Sequence, residues 1–133
     1  MSFTHSLKTV NTYTVNGVTA VTLIDTDSQT AGEELNLSES FTDATDALVA
    51  FTLDVSQCKA FAIWSVGGNM TVETNSSSSP VDTFALVDGV AVLWSVAQPN
   101  TPDNPVTTDI TALYVTNTGT AVLHVRSLSD PTV

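Results

Sequence analysis

Ala60-Phe61-Ala62-Ile63-Trp64-Ser65-Val66 is apolar at every position but Ser65. A short run that is apolar on both faces belongs in the middle of a sheet, with cover on each side. Gly67-Gly68-Asn69 then turns the chain, and Met70, Val72 and Thr74 alternate with Thr71 and Glu73. Upstream, Ala47, Val49, Phe51, Leu53 and Val55 alternate against polar Thr52 and Asp54. One face of that segment is apolar and the other is wet at its far end, the pattern of a sandwich strand. Between the two, Ser56 to Lys59 reads as a turn or a single helical turn.

The same period of two continues in both directions. Leu7 to Val15 and Val18 to Ile24 flank Asn16-Gly17. This dipeptide is the strongest short-range hairpin signal, because a type I′ turn needs positive φ at both central residues. Asp25 to Glu34 is polar; after it Leu35, Leu37 and Phe41 share a face that Glu39 interrupts, with Asn36, Ser38 and Ser40 opposite. Thr42 to Asp46 breaks the pattern, and Asn75 to Pro80 reads as a loop. Thr83 to Val87 and Val90 to Val96 flank Asp88-Gly89, a second hairpin signal, with Val90, Val92, Trp94 and Val96 on one face. Gln98 to Pro105, carrying Pro99, Pro102 and Pro105, is a surface loop. Ile110 to Thr116 and Ala121 to Leu128, around Asn117-Thr118-Gly119, predict a third hairpin. Leu113 and Val115 face one side there, Ile110, Ala112 and Tyr114 the other. This pattern gives about eight to ten short strands and no helix; so many strands fold into two layers or close into a barrel. The expectation is all-β: one domain over 1–133, an antiparallel two-sheet β-sandwich of jelly-roll type.

Composition agrees. The chain of 133 residues is one domain's worth and is long enough to bury a core without metals or disulfides. It holds 22 Thr and 18 Val, β-branched residues that fit a pleated sheet better than a helix. Charged residues are only 13%, but fourteen acids face three bases, Lys8, Lys59 and Arg126, for a net charge of −11. Such a surface repels nucleic acid and anionic membranes, so neither is an expected partner. Solubility is the simpler account of the charge, a basic or metal-bridged partner surface the sharper one. No apolar stretch approaches the roughly 18 residues needed to span a bilayer. Met1 to Ser6 lacks a basic stretch leading into an apolar run, so no signal peptide is expected. The sequons at Asn36, Asn69 and Asn75 then carry little weight.

Candidate sites are few. Cys58 is the single cysteine, so no intrachain disulfide forms, and a lone thiol before an apolar run reads as a buried filler. Asp25, Asp27, Glu33 and Glu34 suggest a calcium loop, but counting from Asp25 the sixth residue is Thr30 and the twelfth Asn36, where an EF-hand needs Gly and Glu. An irregular ion site in the acidic loop 25–34 stays open beside a solvated loop. With fourteen acids, a glycosidase-like carboxylate pair means nothing without geometry. His124 shares a face with Val122 and Arg126 and has no motif-spaced Ser or Cys; His5 lies in a frayed terminus; both read as structural. G-x-S-x-G, phosphate-cradling and zinc-type patterns are missing. Trp64 and Trp94 lie inside apolar strands, so core or subunit interface is the first reading, and stacking on a sugar the second. No catalytic, cofactor or metal residue is assigned, and the expectation is that the chain is not an enzyme.

The second half, roughly residues 47–133, resembles small virion proteins of tailed bacteriophages and their prophages. The resemblance is carried by Thr71-Val72-Glu73-Thr74-Asn75-Ser76-Ser77-Ser78, Asp82-Thr83-Phe84-Ala85-Leu86 and Val92-Leu93-Trp94. It continues with Asp109-Ile110-Thr111-Ala112-Leu113-Tyr114-Val115-Thr116-Asn117 and Arg126-Ser127-Leu128-Ser129-Asp130-Pro131. It implies a capsid cement or decoration protein that sits outside the head and stabilises contacts between capsid subunits. The implied partners are the major capsid protein and further copies of itself, as a homotrimer. The implied location is the virion surface, after assembly in the bacterial host cytoplasm. A tail or fibre adhesin with a carbohydrate-binding sandwich is the alternative.

Overall fold

The computed structural model describes residues 2–96 and 103–132. Ten strands form: β1 (Phe3–Val15), β2 (Val18–Ala31), β3 (Glu33–Thr42), β4 (Ala47–Val49), β5 (Cys58–Val66), β6 (Met70–Thr74), β7 (Thr83–Leu86), β8 (Val92–Ser95), β9 (Leu113–Asn117) and β10 (Thr120–Ser129). Eight of them make two antiparallel four-stranded sheets, ordered β3-β10-β5-β8 and β4-β9-β6-β7. From β3 on, successive strands mostly alternate between the sheets, and two packed four-stranded layers so connected are a jelly roll. The expected sandwich is therefore present, and β5 lies inside its sheet, between β10 and β8.

The core is the interdigitated inner faces of the two layers. Phe61 and Ile63 of β5 and Leu123 and Val125 of β10 meet Val72 of β6 and Leu113 and Val115 of β9, all essentially sealed from solvent. Val49, Phe51 and Leu53 point inward as the alternation predicts. Only Ala47–Val49 pairs as a strand there; Leu53 makes an isolated bridge to Ile110. Val55–Gln57 is a single 3₁₀ turn, capped by Asp54, whose carboxylate accepts from the Ser56 amide at 2.9 Å.

β1 and β2 form a separate two-stranded sheet. Asn16 and Gly17 both have positive φ (50° and 77°), as the type I′ turn demands. Both strands outrun the sequence expectation: β1 begins at Phe3 and β2 ends at Ala31. The stretch 25–34 is therefore not a loop but the end of β2 and the start of β3. Its polarity hid the strand because the inward positions Asp27 and Gln29 are polar, with Ser95 Oγ donating to Asp27, and Ala31 alone joins an apolar cluster. His5 likewise is not frayed; its ring Nε2 lies 3.0 Å from Glu34.

Two predicted hairpins are not hairpins. At Asp88-Gly89 the turn forms, with the Val90 amide donating to Val87 O at 3.0 Å, but β7 pairs with β6 and β8 with β5, in opposite sheets. At Asn117-Thr118-Gly119, β9 joins β4 and β6 while β10 joins β3 and β5. Asp88 lacks the positive φ that a type I′ turn needs at its first central residue, so the chain turns there without the predicted hairpin geometry, and which strand lies alongside is decided by packing. Conversely β6 and β7 do pair, around the serine-rich loop. Ile110, placed opposite Leu113 and Val115, is buried with them, and of the predicted Val90-Val92-Trp94-Val96 face only Val92 and Trp94 pack on the core. The proline-bearing stretch falls partly outside the described residues.

Candidate functional site

The outer face of sheet β3-β10-β5-β8 carries one cluster of side chains suited to binding. Register sets its rows: Ser38, His124 and Trp64 stand side by side on β3, β10 and β5, and Asn36, Arg126, Ala62 and Leu93 form the next row. Beyond these, Leu128 and Ala60 are buried under Phe3, Leu7 and Ala31 of the β1–β2 hairpin. The hairpin thus covers one part of this face and leaves Trp64, His124 and Arg126 half-buried beside it.

These three side chains are held in place. The Trp64 and His124 rings stack with centroids 5.0 Å apart and planes 16° apart. His124 Nδ1 lies 2.8 Å from Ser38 Oγ. Arg126 Nη1 donates to the carbonyls of Leu37 (2.7 Å) and Val125 (2.9 Å), and Nη2 donates to Ser38 Oγ at 3.2 Å. Its Cζ lies 5.5 Å from the Trp64 ring centroid, within cation–π range. Between this cluster and the hairpin runs a groove of about 350 Å³, with Ala62, Trp64, Leu93 and Arg126 on the sheet side and His5, Leu7 and Lys8 on the hairpin side.

Trp94, by contrast, faces inward opposite Phe61 and packs against the core. Parity could not separate the two tryptophans in sequence, because β5 is apolar on both faces. Lys8 and Arg126 were not singled out in sequence; only the register that sets Trp64 beside His124, and the hairpin folding back, brings them together.

The other candidates stand elsewhere in the fold. Cys58 is buried, and burial pushes its thiol up to about 11, so it is not a thiolate at neutral pH. Among the described residues no three His, Cys, Asp or Glu side chains form a group that could hold a metal ion. A larger hollow of about 730 Å³ is lined in part by Glu33, Glu34, Asp54 and Asp109. Two of these carboxylates cap backbone: Asp54 accepts from Ser56, and Asp109 accepts from the Val55 amide at 2.9 Å. Asn75 is occupied as well, receiving the Thr111 amide at 2.8 Å and donating to Asp109 O.

A second surface feature lies at one end of the sandwich. The β5–β6 turn and the Val87–Val90 turn are tied together: Gly89 N donates to Ser65 O, Gly67 N to the Asp88 carboxylate, and Asp88 N to Asn69 Oδ1, each at 2.9 Å. Val66 (48% exposed), Val87 (56%) and Val90 (59%) project from this braced end.

No family model matches the chain, and no curated protein matches it. A solved structure of Bacillus endospore appendages, described as a novel family of disulfide-linked pili, is similar at 14% sequence identity and a TM-score of 0.37. The likeness covers 74% of this chain and 88% of that one. At that score it bears on neither fold nor function.

Proposed function

We propose that this chain is a capsid decoration protein of a tailed bacteriophage, a non-enzymatic β-sandwich that binds the outside of the head and clamps neighbouring subunits of the major capsid protein. The observation that carries the reading is the braced valine end. Val66, Val87 and Val90 stand out of two turns tied to each other by hydrogen bonds, and they are three of the ten large hydrophobic residues exposed among those described. Exposed apolar groups gathered at one end of a fold are disposed for docking, as singly scattered ones are not. Burying a valine contributes about 1.5–3 kcal/mol, and symmetry-related copies multiply the hold. The resemblance of residues 47–133 to small virion proteins supplies the particle and the homotrimer. A net charge of −11 is tolerable outside a capsid, where no DNA is touched.

The test is binding of purified protein to heads stripped of it. Wild type should restore full occupancy, and Val87→Asp with Val90→Asp should abolish binding while the unfolding midpoint stays put. Undiminished binding by the double variant would remove the docking end from the account.

A second reading, an adhesin that binds host glycans, is favoured by the half-exposed Trp64 in its groove beside Arg126.

A further inference from the structure

The chain has three permanent cations, and two of them, Lys8 and Arg126, line the groove that also holds Trp64. In a protein of net charge −11 that is a concentrated exception. Arg126 is the more informative of the two. Its guanidinium is fixed by two carbonyls and a hydroxyl, and among the described residues it meets no carboxylate. Those bonds use three of its five N–H donors and leave its charge unneutralised, half-buried beside an indole. A fixed guanidinium is built for a carboxylate, and an indole for the apolar face of a ring.

We propose that the groove between the β1–β2 hairpin and sheet β3-β10-β5-β8 binds the terminal carboxylate-bearing residue of an acidic glycan, a uronic or sialic acid. Its ring lies on Trp64, its carboxylate meets Arg126, and Lys8 adds charge at the rim. The proposal rests on the glycan-binding reading above and specifies its ligand. Three features select this ligand. At about 350 Å³ the groove is at the small end of ligand sites, enough for one or two sugar rings. The charge of the rest of the surface repels a long polyanion, which favours a single acidic residue at a chain end. An acidic peptide offers carboxylates on flexible stems but no ring to set against Trp64. Two acids border the site and limit its positive field: Glu34, which holds His5, and Asp27, which accepts from Ser95.

The test uses the full chain in a Trp94→Phe background, so that Trp64 reports alone. It is titrated with methyl β-glucuronide, a methyl sialoside, neutral methyl β-glucoside and a short Asp/Glu peptide, followed by tryptophan fluorescence and amide chemical shifts. One of the acidic sugars should perturb Trp64 and bind at least tenfold more tightly than the neutral glucoside. Trp64→Ala and Arg126→Gln should each weaken it tenfold or more. Lys8→Gln, on an exposed strand position, should weaken it a few-fold with the thermal midpoint unchanged, and so reads the site even where a sheet variant misfolds. Equal binding of the neutral glucoside overturns the acidic ligand and leaves the glycan reading standing. Absence of binding by every sugar at millimolar concentration overturns both. Tighter binding of the peptide makes the partner a protein and overturns the proposal.

Discussion

The β1–β2 hairpin and the β3–β10 sandwich are written in the same alternating code, yet they bury it very differently. In the sandwich, alternate positions of β5, β6, β9 and β10 go to zero or near-zero exposure against a facing layer. In the hairpin, the described outward positions include two hydroxyl pairs, Thr4 with Thr30 at 2.8 Å and Ser6 with Ser28 at 2.6 Å, beside exposed Lys8 and Val10. Among the described side chains its inward side seals Leu7 and Ala31, with Phe3 packed alongside, onto Ala60 and Leu128. An isolated two-stranded hairpin is marginal in water, so this one depends on its seat on the sheet. The difference teaches that alternation shows a strand is present, while the residue opposite decides how much it stabilises.

The largest effect should come from the sandwich. Leu123→Ala removes a fully buried side chain from the centre of the core and should cost about 4 kcal/mol, within the usual range for such truncations. Urea unfolding gives the value; a loss below about 1 kcal/mol would mean the two layers are not tightly packed.

Next is the buried thiol at the start of β5. The Cys58 pKa is raised from 9.0 to about 11, because burial disfavours the thiolate. Below about pH 9 the thiol is protonated in both states and the packing is intact. Between pH 9 and 11 the unfolded chain ionises first, so stability falls by about 3 kcal/mol across that window. Cys58→Ala should flatten this part of the stability–pH curve, and the native thiol should resist alkylation at pH 8.

Smaller still is the hairpin's seat. Leu7→Ala, at the rim of the second cluster, should cost about 2 kcal/mol, the low end for leucine truncation. Hydrogen exchange should rise in β1 and β2 first and leave β5 and β10 protected. Uniform loss of protection would show that hairpin and sandwich unfold as one unit. The smallest effect belongs to the exposed ladder: Thr30→Val should change stability by no more than about 0.5 kcal/mol, as measured by the same urea melts.

Legibility in the sequence follows the same division. Where a signal is local and its strand faces a core, the residues suffice: Asn16-Gly17 turns as read, β5 is central, and Val49, Phe51 and Leu53 point inward. Where partner choice is non-local they do not. Asp88-Gly89 and Asn117-Thr118-Gly119 both turn the chain with positive φ at the glycine alone, and their flanking strands part to opposite sheets. Asp27 to Ala31 shows no hydrophobic period for another reason: of the inward positions Asp27, Gln29 and Ala31 only the last is apolar. The site shares both limits. Trp64 was visible as an aromatic residue, but its outward direction, its His124 neighbour and the cations of the groove depend on register and on a hairpin folding back.

The central claim, a docking module on a virus head, is tested most directly by electron cryo-microscopy of the particle that carries this protein. The account predicts density for the sandwich outside the capsid, as a trimer at symmetry-related junctions, with Val66, Val87 and Val90 turned toward the major capsid protein. Density confined to the tail or its fibres, or none on the particle, would contradict it.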